Sequence, residues 1–206
     1  MTATRQATPQ ATERPPVRQP LRADSIATRR RIIDAAVELA RSHRLADLTM
    51  RDIARAADVS AATAYTYFAS KEHVYAEAYL DGVRALTESV RARSPAGATA
   101  TDRVAALLRR VVRGAAATGD VVQATAIALA SSDPAVASLR PLVDAAFDEW
   151  IEITLAGARI EDRGDVVRLL QLTMFAAFVA IAHERMTLAD AGRLLDHAVR
   201  RLVVEI

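Results

Sequence analysis

The chain has no cysteine, which removes disulfides, thiolate metal sites and cysteine nucleophiles together. Such a composition suits a reducing cytoplasm. Aromatic residues make up only 4% of the 206 positions although hydrophobic residues make up 51%, so a core must be built from Ala, Val, Leu and Ile. Glycine and proline are scarce beyond the N-terminal stretch, and the abundant Ala, Leu and Arg favour helix over strand. An all-α fold is expected. No apolar run approaches the ~20 residues of a membrane-spanning helix, and no apolar stretch follows the N-terminal charges as it would in a secretory signal. The expectation is a soluble cytoplasmic protein, nucleoid-associated and without a membrane partner. Chemistry-bearing motifs are missing as well. His43, His73, His183 and His197 fall in different segments without metal-ligand spacing, and His183-Glu184 lacks the second histidine of a zinc helix. There is no phosphate-binding glycine loop and no nucleophile elbow. No catalytic residue, metal or cofactor is expected.

A net charge of +2 is too small to indicate a polyanion partner, but the charges are unevenly placed. Arg5, Arg14, Arg18, Arg22, Arg29, Arg30 and Arg31 stand against only Glu13 and Asp24 in the first 31 positions. A local basic excess of this kind suits phosphate contact, by Arg29 among others, and equally suits a solvated tail. Residues 1–23 carry Pro9, Pro15, Pro16 and Pro20 with almost nothing apolar to bury, so a disordered basic arm is expected there.

From Ser25 to about His43, Ile32, Ile33, Ala36, Val37, Leu39 and Ala40 recur at helical spacing. Thr49-Met50-Arg51-Asp52 is a capping box opening a helix from Met50 to about Ala57. Asp58 marks a turn, Ser60 caps a helix of about seven residues to Tyr67 or Phe68, and Ser70 caps a long helix from Lys71 to about Arg93. Helices this short form only by packing against the first one. Two short helices with a tight turn suit the DNA major groove, where the second helix reads base edges through its first residues. Here those residues are Ser60, Ala61, Ala62, Thr63 and Tyr65, none of which pairs bidentately with a base. Specificity then rests on thymine methyl contacts, on Arg51 and on DNA shape.

Further helices are expected after Thr101 to about Thr118, from Val121 to about Ser131, from the Asp133-Pro134 cap to about Ala156, from Asp165 to His183, and from Thr187 onward, about nine in all. The Asp165–His183 segment is apolar on more than one face and should be buried on two sides. The last two helices, 165–183 and 188–204, could pair with their copies in a homodimer.

The residues Thr49-x-Arg51-x-Ile53-Ala54, Val59-Ser60 and Thr63-x-Tyr65-x-Tyr67-Phe68-x-Ser70-Lys71-Glu72 resemble the signature of the TetR family of one-component repressors, over residues 49–72. The body from Thr101 onward resembles, more loosely, the actinobacterial sterol and lipid catabolism repressors within it. The resemblance implies a helix-turn-helix DNA-binding head (24–72) on an effector-binding, dimerising body (73–206). It implies base-facing roles for Arg51, Ala61, Ala62 and Thr63, and phosphate contacts for Thr28, Thr49, Tyr65, Tyr67 and Lys71. A cation at Lys71, at a helix start where peptide N–H groups also favour an anion, fits on physical grounds; Tyr67 could equally be packed core. Two positions depart from the family pattern, Asp58 and Ala62, each usually glycine. Asp tolerates the left-handed region better than most residues, so the turn should survive. Ala62 adds a methyl group facing DNA.

The resemblance further implies an effector pocket in the body. Phe147, Trp150, Met174, Phe175 and Phe178 are the largest side chains there, with Gln123, Asp144, Arg140 and Gln171 as polar handles. Aromatic residues at helical spacing can also be plain core. The apolar bias favours a hydrophobic or amphipathic effector, such as a fatty acyl, steroid or acyl-CoA compound, that releases a dimer from a near-palindromic operator. The alternative is a helical ligand-binding or interaction protein without a DNA role. What separates the two is the coincidence of Lys71, Arg51 and a basic first helix around one head.

Overall fold

The computed structural model describes residues 21–117 and 121–206. The expected arm lies, up to residue 20, outside the described residues, as does Thr118, the expected end of the fifth helix. The helices are α1 (Leu21–Ala40), α2 (Met50–Ala56), α3 (Ala61–Tyr67), α4 (Lys71–Ala92) and α5 (Ala100–Ala117), followed by α6 (Val121–Ala130), α7 (Pro134–Ala137), α8 (Arg140–Thr154), α9 (Arg163–Ala182) and α10 (Leu188–Leu202). Among the described residues β pairing is confined to an isolated bridge between Ile160 and Glu205. The fold is all-α, as composition requires.

Local chemistry accounts for most helix starts. Thr49 and Asp52 form the capping box of α2 and Thr187 and Asp190 that of α10, while the Ser60 and Ser70 hydroxyls accept from the backbone N–H groups of Thr63 and His73. Each such cap stabilises its helix by about 1 kcal/mol. The Thr49 hydroxyl and N–H hold the Asp52 carboxyl below its ordinary range, with Arg55 adding less. A carboxylate depressed in this way contributes stability above its unfolded value and loses it as pH falls through its folded value. The α2 cap is therefore complete at neutral pH.

The expected helix from Pro134 to about Ala156 is two helices. Pro141 has no N–H to donate, and in a continuous helix its ring would clash with the Ala137 carbonyl. α7 ends at Ala137 and α8 begins at Arg140. Arg140, expected as a polar handle for the effector, instead donates from Nε to the Leu129 carbonyl at 2.9 Å and from its other nitrogen to the Ser131 carbonyl. It satisfies carbonyls at the C-terminal end of α6, which have no partner within the helix.

One hydrophobic cluster runs from Ile32 of α1 through Ile53, Phe68, Leu108 and Ile151 to Val203. α4 is its axis, packing against α1 on one side and α6 and α8 on the other. The Tyr75 hydroxyl donates to the Ala36 carbonyl at 3.1 Å, and burial, with the charge of Glu72, pushes its phenol up to about 12.

α9 bears on two expectations. By length and composition it could cross a membrane, because the charges of Arg163, Asp165 and Arg168 crowd its first two turns and leave the remainder apolar. It is also not buried on both sides of a single chain. Val166, Leu170, Met174 and Ala177 face the bundle, packed against α6 and α10. Leu169 and Leu172 stand outward at 46% and 54% exposure, and Phe175, at 45%, is exposed on this side while also lining a cavity in the body.

Candidate nucleic-acid interface and effector cavity

The tight turn between α2 and α3 is made by Asp58 at φ 54°, in the left-handed region where the family pattern has glycine. The Val59 N–H reaches back to the Ala54 carbonyl at 3.0 Å, closing the end of α2. Ile53, Ala54, Ala64 and Phe68 are buried against α1 and the start of α4, so the opposite surface of α3 is presented outward. Ala62, Tyr65 and Thr66 are exposed there, as is Arg51 at the start of α2, while Ala61 and Thr63 are half-buried. The Thr63 and Ser60 hydroxyls are 2.8 Å apart. This face carries methyl groups, hydroxyls and one guanidinium, which suits apolar and single hydrogen-bond contact with base edges.

Of the residues expected at phosphates, Thr49 is exposed, Tyr65 is 56% exposed, and Thr28 is half-buried with its hydroxyl 3.5 Å from an Arg31 nitrogen. Tyr67 is half-buried and packs on the core. Arg29 is engaged internally: it pairs with Glu77 at 2.6 Å and lies over the Phe68 ring at 5.2 Å. It thereby fastens α1 to α4. Lys71 donates to the Leu45 and Leu48 carbonyls at 2.8 and 2.7 Å. Sequence spacing did not signal that role, which leaves the ammonium one further N–H for an anion. Lys71→Ala should therefore cost about 1–3 kcal/mol of stability by taking this donor from the Leu48 carbonyl and leaving the Leu45 carbonyl only the Leu48 N–H, and weaken binding to every DNA sequence alike. Urea melts and operator titrations check the two effects separately. Unchanged stability would remove the carbonyl role.

Ser70 accepts from the His73 N–H at 3.1 Å while its hydroxyl donates to Asp133. One side chain thus caps α4 and holds the cap of α7. The Ser70 hydroxyl, and after it the Ala135 N–H, hold the Asp133 carboxyl below its ordinary range.

The body encloses a cavity of about 690 Å³, within the range of small-molecule sites. Phe147, Trp150, Gln171, Met174, Phe175 and Phe178 all line it, so the expected aromatic set converges. Asp144 lines it too and accepts from Gln171 at 2.7 Å. Trp150 is held by its indole N–H donating to the Thr87 hydroxyl at 2.8 Å. The side chain of Gln123 lies outside the described residues. Tyr79, Ser89, Arg110 and Arg113 line the cavity without having been singled out from the sequence, and Val37 of α1 closes it from the head side. One signal was available. Arg110 and Arg113 flank the apolar stripe Val104, Leu107, Leu108 and Val111 of α5, where a charge next to core positions calls for a partner.

Residues 32–78 match the family described as bacterial regulatory proteins, tetR family. The chain is 34% identical over 175 residues to an HTH-type transcriptional regulator of Mycobacterium tuberculosis, covering 84% of this chain and 79% of that protein. It is 28% identical over 179 residues to the HTH-type transcriptional repressor KstR of the same species, covering 85% and 80%. The fold is similar to that of Thermus thermophilus FadR in complex with lauroyl-CoA, with a TM-score of 0.65 and 26% identity over 84% of this chain and 92% of that one.

Proposed function

Since the chain belongs to the TetR family of DNA-binding transcriptional regulators, which are not enzymes, we propose that it is a cytoplasmic repressor that binds a near-palindromic operator as a homodimer. A small hydrophobic effector in the body cavity releases it. The observation that carries this reading is structural sharing. α1 and α4, which hold the reading head, also supply Val37 and Tyr79 to the cavity wall. A ligand there bears directly on the helices that position α3.

In this reading residues 24–72 form the DNA-binding head and residues 73–206 the effector-binding and dimerising body. Arg51, Ala61, Ala62 and Thr63 face bases, while Thr28, Thr49, Tyr65, Tyr67 and Lys71 contact phosphates. Arg29 acts on DNA through α1, which it holds against α4. α9 and α10 form the dimer interface, supported by the outward Leu169, Leu172 and Phe175 of α9 and by Leu194 of α10 at 40% exposure. Two heads then read half-sites about one DNA turn, roughly 34 Å, apart or a multiple of that. The lauroyl-CoA bound by the similar Thermus protein supports an amphipathic effector.

Duplex binding measured against salt tests the DNA role. Affinity should fall steeply as salt rises, because counterions are released from the phosphates; a flat response would refute the role. Arg51→Ala is expected to reduce discrimination between operator and mismatched DNA by about 1–3 kcal/mol. Competition titrations check this, and an equal loss on both DNAs would sink the base-facing assignment.

A further inference from the structure

The polar groups facing the cavity are sorted by charge along it. Arg110 donates to the Ser89 hydroxyl of α4, and Arg113 follows three residues later on the same face of α5, at an exposed position. Among the described residues neither guanidinium is in an ion pair. Toward the other end of α4, Asp144 lies close enough to Tyr79 for its charge to add to burial in pushing that phenol up to about 12. Tyr79 is therefore a protonated donor at neutral pH, and among the described residues its hydroxyl makes no hydrogen bond. Ten residues of α4 separate Tyr79 from Ser89, about 15 Å along the helix at 1.5 Å per residue. Val83, Leu86, Phe147 and Met174 line the space as apolar wall.

Guanidinium groups beside an apolar cavity are best satisfied by an anion once water leaves, through charge-assisted hydrogen bonds. Asp144 repels an anion from its own end, so the two ends are not interchangeable. A hydroxyl both accepts and donates, so it can accept from Tyr79 and donate to Asp144. A keto oxygen only accepts, and would face Asp144 with lone pairs against lone pairs. A methyl end would leave the Tyr79 hydroxyl without a partner and Asp144 with only its bond from Gln171. Resting on the reading of this cavity as the effector site, we infer that the effector is a two-ended amphiphile. Its apolar body spans about 15 Å, Arg110 and Arg113 hold an anionic group at one end, and Tyr79 and Asp144 hold a hydroxyl at the other.

Calorimetric titration of the full chain with ω-hydroxylaurate, laurate and lauryl alcohol, compounds matched to that span, tests the inference. Laurate should bind about tenfold more tightly than lauryl alcohol, and ω-hydroxylaurate about fivefold more tightly than laurate. Arg110→Gln should abolish the first preference and Arg110→Lys retain part of it; Asp144→Asn and Tyr79→Phe should shrink the second. Melting without ligand confirms that each variant is folded. The coenzyme A thioester of the hydroxy acid distinguishes the two sources of the anion. Tighter binding of the free acid assigns Arg110 and Arg113 to the carboxylate; tighter binding of the thioester, whose phosphates lie a pantetheine arm beyond that span, overturns the two-ended fit. Equal affinity of the wild type for laurate and lauryl alcohol overturns the inference while leaving the cavity as an effector site. Binding of none of the compounds overturns the effector site itself.

Discussion

Leu172→Glu should turn the protein into a monomer at micromolar concentration and lower operator affinity about a hundredfold, because two linked half-site contacts gain at least that much from being joined. Leu172 lies in the middle of the outward apolar row of α9, three residues from Leu169 and three from Phe175, and all three are close to half exposed in the single chain. A helical row of three large apolar side chains is not a surface a soluble monomer keeps without use. A glutamate at its centre would have to be dehydrated in the closed dimer, whereas in the monomer it sits in water. The substitution should leave monomer stability within about 0.5 kcal/mol, as for other exposed positions. Light scattering reads the oligomeric state and fluorescence anisotropy reads the affinity. A dimer that persists with unchanged affinity would place the interface elsewhere.

Phe68→Ala is expected to have the largest effect on stability, about 3–5 kcal/mol, the usual cost of truncating a buried phenylalanine. Phe68 is 1% exposed. Its ring meets His73 edge-on at 5.4 Å and carries the Arg29 guanidinium at 5.2 Å. Removing it takes the floor from α3, opens a void against α1 and strands the cation that pairs with Glu77. In a chain of this size the loss corresponds to a melting point lower by roughly 10 °C. DNA binding should fall with it, since α3 is too short to hold its shape alone. Phe68→Leu should recover more than half of the stability. Scanning calorimetry of the pair checks both figures, and a loss below about 1 kcal/mol would show that the head does not depend on this ring.

How far the molecule could be read in advance depended on whether a feature is local. The starts of α2, α3, α4 and α10 were legible because Thr49, Ser60, Ser70 and Thr187 declare themselves within three residues of the groups they cap. Asp58 was legible as a turn because few other residues occupy the left-handed region. The break at Ser138-Leu139 is equally local, because a continuous helix would set the Pro141 ring against the Ala137 carbonyl four residues before it. What could not be read were partnerships across the chain. A phosphate contact for Lys71 is what the family resemblance implies and its place at a helix start fits, but its bonds to the Leu45 and Leu48 carbonyls depend on how α4 crosses the preceding loop. Arg29 pairs with Glu77 through the packing of α1 on α4, which no spacing encodes. In the cavity, size and apolarity pointed to Phe147, Trp150 and Met174. Tyr79, Arg110 and Arg113 required the bundle to be assembled first, because their significance lies in facing one another's space. For α9 the limit is the opposite one: an apolar pattern on more than one face shows that a side will be covered, as in the expected pairing with a second copy, but not by which molecule.

Val37 belongs to the helix that braces the head, yet its side chain forms part of the wall of the body cavity. The two ligands of the proposed repressor would therefore act on a shared element, and their binding energies are coupled in both directions. Whatever factor the effector takes from operator affinity, the operator must take from effector affinity. Protein seated on its operator would respond only at effector concentrations above those that fill the free protein, so the threshold for derepression would be set by the DNA as well as by the cavity.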